Sequence, residues 1–264
     1  MTDLLYRWPP AARFGRVVPK NKFYEHGQVT TAERERFVAE VQRVTWAYKL
    51  AETTLNLAGT TAVPEIQVFQ IDAKGEDVSD AVLTAIDKAV RTPIIFEISH
   101  GDADARRTRM VAAYKQQGAT TSKLGAYFTT GWHPADAERR PLPTAINLPS
   151  LYAALLEPLL PVAARAGEQL SEVTARLEAV RKLEREITAL GRKIRGEPQL
   201  NRKVELRRIL RTKQANLADL TSLAPARRRT RRTEEHGGQA KDALARPDGS
   251  QCREDRRTVP QCDH

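Results

Sequence analysis

From Leu170 to Leu223 apolar side chains recur on a seven-residue frame, and no other stretch of the chain restricts the fold as tightly. Val173, Val180, Ile187 and Ile194 stand seven apart, and Leu170, Leu177, Leu183 and Leu190 fall three or four positions away on the same side. Beyond Gly196, Glu197 and Pro198 the spacing resumes with Leu206, Leu210, Leu217, Leu220 and Leu223, and Lys213 stands where a leucine is expected. Gly196 suits a helix C-terminus and Pro198 disfavours helix in the residue before it, so the two arms do not continue as one rod. The pattern predicts an antiparallel coiled-coil hairpin over residues 161–224, behind a mixed α/β domain over 1–160.

Charge follows the same division. Residues 168–224 carry 13 Lys+Arg against 8 Asp+Glu, residues 1–167 carry 20 against 18, and residues 225–264 carry 10 against 7, which together make the net charge of +10. A basic excess on extended helices attracts phosphate backbones or acidic protein surfaces. Cys252 and Cys262, the only cysteines, both lie in the polar tail, which leaves no disulfide framework and no four-cysteine zinc site within one chain. No cofactor is expected. The sequence has no apolar run of membrane-spanning length and no secretory layout at its start, so a cytoplasmic protein without a membrane partner is expected.

The segment 1–29, with Trp8, Pro9, Pro10, Phe14, Pro19, Phe23 and Tyr24, reads as chain running over a domain surface on aromatic anchors. Thr30 and Glu33 form a capping-box pattern that opens a helix over 32–43. Five strands are expected: VTWAYKL (44–50), EIQVFQID (65–72), PIIFEIS (93–99), RMVAAYK (109–115) and LGAYFTT (124–130). Between the second and third, Val82, Leu83, Ile86 and Val90 mark the core face of a helix, so one parallel crossover joins hairpin connections. The fold class is therefore α+β: a mixed sheet of about five strands with helices on one face, then the hairpin. Residues 133–150 look like an irregular connection, and 150–160 like a short apolar helix that docks the hairpin. After Pro225 the arginine-rich composition cannot bury enough apolar surface, so a disordered basic tail over 225–264 is expected.

Several of these strings also carry a resemblance. PKNKFYEH (Pro19–His26), TWAYKL (Thr45–Leu50), EIQVFQID, AIDKAV followed by PIIFEI, AAYKQ, YFTTGW (Tyr127–Trp132) and EPQLNRKVELRR (Glu197–Arg208) make the chain resemble the bacterial domain-of-unknown-function family four-three-nine-one over residues 1–223. The resemblance implies an accessory protein of a restriction-modification or phage-defence system that works beside DNA methyltransferase and helicase subunits. That family has no agreed active site, so it assigns no residue a role.

Two kinds of site can be built from the residues themselves. Asp72 and Lys74 form a D-x-K step at a strand end, with Glu97 in a neighbouring strand; two carboxylates and a lysine are what a Mg²⁺-dependent nuclease needs. Arg192, Lys193, Arg195, Arg202, Lys203 and Arg207 cluster near the hairpin turn and form a phosphate-contacting end. Tyr48 and Lys49, Tyr114 and Lys115, and Lys123 to Tyr127 place cations beside aromatics on strands; core aromatics with edge lysines are expected there. The five histidines show no metal-site spacing and are expected on surface loops. The leading expectation is a non-enzymatic accessory protein that binds DNA or a partner subunit through the basic hairpin, with an oligomer formed through the coiled coil as a further possibility. The alternatives are the nuclease and a structural scaffold.

Overall fold

Thr30 closes the expected capping box: Glu33 N donates to Thr30 Oγ1 at 3.3 Å while Thr30 N donates to Glu33 Oε2 at 2.7 Å. The computed structural model, which describes residues 4–26, 29–117 and 122–222, orders the elements as follows. Strands β1 (Leu5–Tyr6) and β2 (Arg13–Val17) precede helices α1 (Lys20–His26) and α2 (Thr31–Glu40). Strand β3 (Val41–Ala51) follows α2 directly, and the short α3 (Glu52–Leu55) leads to β4 (Glu65–Ala73). Helix α4 (Asp80–Ala89) crosses to β5 (Ile94–His100), followed by β6 (Arg107–Gln117), β7 (Ser122–Thr129), β8 (His133–Pro134) and β9 (Arg139–Arg140). Three helices complete the described chain: α5 (Leu148–Leu156), α6 (Leu170–Gly196) and α7 (Leu200–Thr221). The tail lies outside the described residues.

The fold is α+β, and its sheet has seven strands in the order β2-β3-β4-β5-β6-β7, with β8 also pairing with β6. All five expected strands are present. The additional members are β2 and β8, short segments of Arg13–Val17 and His133–Pro134 whose sequences lack sustained alternation. Strands β4 and β5 are parallel, joined across α4 as the sequence requires, and every other pair in the sheet is antiparallel.

Helices cover both faces, which corrects the expectation of one. On one face Phe69, Ile71, Ile94, Phe96, Ile98 and Val111 pack with α1, α2 and α4. On the other, Ile66, Val68, Ile95, Met110 and Ala112 pack with α5, the start of α6 and the N-terminal segment. Strand alternation makes this division unavoidable, because residues of both parities in β4 and β5 are apolar. The N-terminal segment is therefore more than surface chain: Leu4, Leu5, Tyr6 and Trp8 are buried, β1 pairs with β9 in parallel, and β2 forms a sheet edge.

Lys115 also departs from expectation. It is 1% exposed rather than an edge charge, and its Nζ meets Asp87 Oδ1 of α4 at 2.7 Å. The same ammonium donates to the carbonyl of Asp87 in the last turn of α4 and to those of Val90 and Thr92 just beyond it. Asp87 Oδ2 accepts the Tyr127 hydroxyl at 2.6 Å. Burial pushes the Asp87 carboxyl up and the Lys115 ammonium down, while each partner's charge opposes the shift of the other. His133 is likewise buried, on β8, rather than in a surface loop.

Lys115→Met leaves a buried carboxylate without its cation and three carbonyls without their donor, and is expected to cost about 3–5 kcal/mol in urea unfolding. The Lys115→Met/Asp87→Leu double variant should lose less than the sum of the two single losses; additive losses would show the pair to be uncoupled.

Candidate nucleic-acid interface

The helical hairpin forms within one chain. Helices α6 and α7 run antiparallel: Arg176 near the start of α6 donates to the Leu220 carbonyl at the end of α7, and Glu186 in the middle of α6 pairs with Lys213. Lys213 thus occupies its leucine position as an ion-pair partner. Leu206, Leu210, Leu217 and Leu220 of α7 are part-buried along this seam, and Leu223 lies outside the described residues. Val173, Leu177 and Val180 of α6 are buried, the first two against the sheet core, whereas α7 has no buried residue.

The base of the hairpin is locked by Arg176, which is 6% exposed. It donates to Glu168 Oε1 and Oε2 at 2.8 Å each and to the Ala163 carbonyl at 3.0 Å. Arg165 adds donations to the carbonyls of Asp219, Leu220 and Ser222, so cations satisfy the orphan acceptors at the C-terminus of α7.

On the side of α6 turned away from Leu183, Ile187, Leu190 and Ile194, the helical period aligns Arg181, Arg185, Arg192 and Arg195. This column spans about 21 Å at the α-helical rise. Its first member borders the sheet: the Arg181 guanidinium lies 4.9 Å from the Phe128 ring centroid and donates to the Tyr127 carbonyl at 3.4 Å. A groove of about 550 Å³ between β7 and α6, lined by Leu124 and Gly125 opposite Glu178, Arg181, Lys182 and Arg185, opens there. A second of about 570 Å³ continues along α6 past Glu184 and Thr188 to Arg192. Among the described residues no carboxylate lies within 4.0 Å of any of the four column guanidiniums, whereas Arg43, Arg106, Arg109, Lys115, Arg139 and Arg176 are all paired.

The six cations expected at the hairpin end divide. Arg192 and Arg195 belong to the column. Lys193 and Arg207 are exposed on other sides, Arg202 lies 3.5 Å from Glu197, and Lys203 is part-buried in the seam. Arg181 and Arg185 extend the surface toward the sheet, and their spacing of four on the face opposite the leucines is the signal that identifies them.

The strand residues are engaged elsewhere. Asp72 receives Arg43 at 2.7 Å on Oδ2 and Arg106 at 2.6 Å on Oδ1. Lys74 Nζ donates to the Val38 carbonyl of α2. Glu97, 1% exposed, accepts from Trp8 Nε1, Arg139 Nη1 and Gln70 Nε2 at 2.8, 2.6 and 3.0 Å. The three side chains do not share a partner, and no group of three His, Cys, Asp or Glu among the described residues is placed to hold a metal ion. No described helix is long and apolar enough to cross a membrane.

The hydrogen bonds from Arg176 hold the Glu168 carboxyl below the usual carboxylate range. A depressed folded-state value stabilises the fold above the unfolded-state value, and that contribution is lost as pH falls through the folded one. Glu168→Gln should therefore flatten the acid limb of melting temperature against pH and cost about 2 kcal/mol near neutrality. An unchanged acid limb would remove this pair from the hairpin anchor.

Comparison with known proteins adds one assignment. No curated protein and no solved structure matches the chain. The model of one family, described as Domain of unknown function (DUF4391), matches residues 7–217, from the segment before β2 to the last turns of α7. The chain belongs to that family.

Proposed function

We propose that this protein is a non-enzymatic, DNA-binding accessory subunit, and that the arginine column of α6 is its contact with the phosphate backbone. The observation that carries the reading is the contrast in pairing. Cations that the fold uses are matched to carboxylates or helix-end carbonyls, while Arg185, Arg192 and Arg195 are exposed guanidiniums in one line without an acidic partner. Guanidiniums suit phosphate because their planar fork donates two parallel hydrogen bonds. Like charges three apart on a helix are mildly destabilising, so folding does not favour Arg192 and Arg195 at that spacing. In this reading the partners are the methyltransferase and helicase subunits that the family resemblance implies, and the column holds DNA beside them.

A protein contact at the hairpin end has its own support. Leu200 and Val204, one helical turn apart on α7, are 71% and 57% exposed. An apolar pair next to a basic column fits a subunit that touches DNA on one side and a protein on the other.

The combined variant Arg185→Gln/Arg192→Gln/Arg195→Gln should weaken binding to duplex DNA and reduce the slope of log affinity against log salt by about three. Fluorescence anisotropy across a salt series checks this. An unchanged slope would exclude the column as the phosphate contact.

A further inference from the structure

The seven-stranded sheet ends at β7, which pairs with β6 and with no other described strand. The register fixes which of its backbone groups are left over. Thr130 N donates to the Met110 carbonyl, so Thr130 and Phe128 turn their backbone groups toward β6, and Tyr127 and Thr129 turn theirs outward. The Tyr127 carbonyl bears this out: its donor is a side chain, Arg181 Nη2 at 3.4 Å, where an inner strand would supply a backbone N–H. Helix α6 advances beside this edge in the same sense as β7, since Glu178 meets Lys123 at 3.8 Å and Arg181 stacks on Phe128. The groove of about 550 Å³ lies between strand and helix. Small residues line both of its walls, Gly125 and Ala126 on β7 and Ala175 and Ala179 on α6. Its charge comes from Arg181, Lys182 and Arg185, against one carboxylate, Glu178, that Lys123 already meets.

An unpaired strand edge along one wall, small side chains on both walls and cations on the helix are the complement of an extended acidic chain. We propose that this groove takes an extended acidic segment of a partner protein as an additional strand on β7. The backbone of the segment pairs with the outward groups of Tyr127 and Thr129, and its side chains that face α6 are carboxylates. The spacings agree. Arg181 and Arg185, four residues apart on α6, are separated by about 6 Å along the helix. Alternate residues of a strand share a face and repeat at about 6.6–6.8 Å, so the segment carries an acidic residue at every second position. On binding, a backbone N–H of the segment takes over the Tyr127 carbonyl, and Arg181 turns to a carboxylate. DNA suits this groove less well, because phosphates only accept hydrogen bonds and would leave the outward carbonyls of β7 without donors. The contact does not depend on DNA binding, since Arg192 and Arg195 lie farther along α6.

A fluorescein-labelled peptide alternating glutamate with valine, titrated with the full chain at physiological salt and followed by anisotropy, should bind saturably. Its lysine–valine counterpart should not. Methylating the backbone nitrogens on one edge of the peptide keeps every charge but removes the strand donors, and should weaken binding about tenfold. Ala179→Phe fills the groove from α6 without removing a cation, and should also weaken it about tenfold with little change in melting temperature. Amide hydrogen exchange at Tyr127 and Thr129 should slow in the complex. Arg192→Gln/Arg195→Gln should keep the peptide, and Ala179→Phe should keep its affinity for duplex DNA, which separates this groove from the outer column. No saturable binding, equal affinity for the methylated or the lysine peptide, full affinity in Ala179→Phe, or unchanged exchange at Tyr127 and Thr129 would overturn the proposal. Loss of DNA affinity in Ala179→Phe would also overturn it and make the groove a nucleic-acid contact instead.

Discussion

The buried ion pair between Lys115 and Asp87 is the contact on which the layered arrangement depends. A parallel crossover leaves its helix tied to the sheet only by packing, and α4 is a ten-residue helix whose C-terminal carbonyls point into the protein. Lys115 answers that need from β6, two strands away from where α4 leaves the sheet, by placing one ammonium among three carbonyls and a carboxylate. Desolvation of both charges is expensive, and the opposed shifts of Asp87 and Lys115 register it. The pair therefore contributes little net stability compared with an apolar replacement. Its role is to fix register, because only one placement of α4 satisfies every group at once.

The pair also couples the two faces of the sheet. Lys115 follows an irregularity in the β6–β7 ladder between Ala113 and Lys115. The backbone groups freed there are taken up from the other face: Tyr152 of α5 accepts from Lys115 N at 3.1 Å and donates to the Ala113 carbonyl at 2.8 Å. A second buried charge, Glu97, does comparable work on that other face, where Trp8 and Arg139 converge on it and bring the N-terminal segment to β9. Two buried charges, one on β5 and one on β6, thus specify which element covers which face. Both layers would be less well defined if those positions were leucine.

Sequence patterning made the five long strands, α4 and the two rods legible because each carries several residues of consistent period. It failed where a single residue decides. Lys115 next to Tyr114 looks like an edge lysine until α4 is known to lie over it, and PIIFEIS gives no sign that Glu97 meets Arg139, forty-two residues later. β2 escaped notice because its residues are mostly exposed and its partner, β3, supplies the order. On the hairpin the basic character was evident but its geometry was not. Counting cations near the turn does not separate Lys203, part-buried in the seam, and Arg202, 3.5 Å from Glu197, from Arg192 and Arg195, which share one side of α6 with Arg181 and Arg185.

The division of α6 gives that side its significance. Up to Val180 the helix is held by the sheet through Val173, Leu177 and Val180, and beyond it no residue of α6 is buried. From there α7 alone supports the rod, through the part-buried leucines and the Glu186–Lys213 pair, and α7 is pinned to the base by Arg165 and Arg176. The arginine column begins where burial ends, with Arg181 still stacked on Phe128. A charged surface on a single free helix would lose its spacing as the helix frays or bends, whereas a two-helix rod fixed at both its strands keeps four guanidiniums in line. The leucine frame and the basic face are thus two consequences of one construction, in which the seam supplies the stiffness that fixes the spacing of the charges.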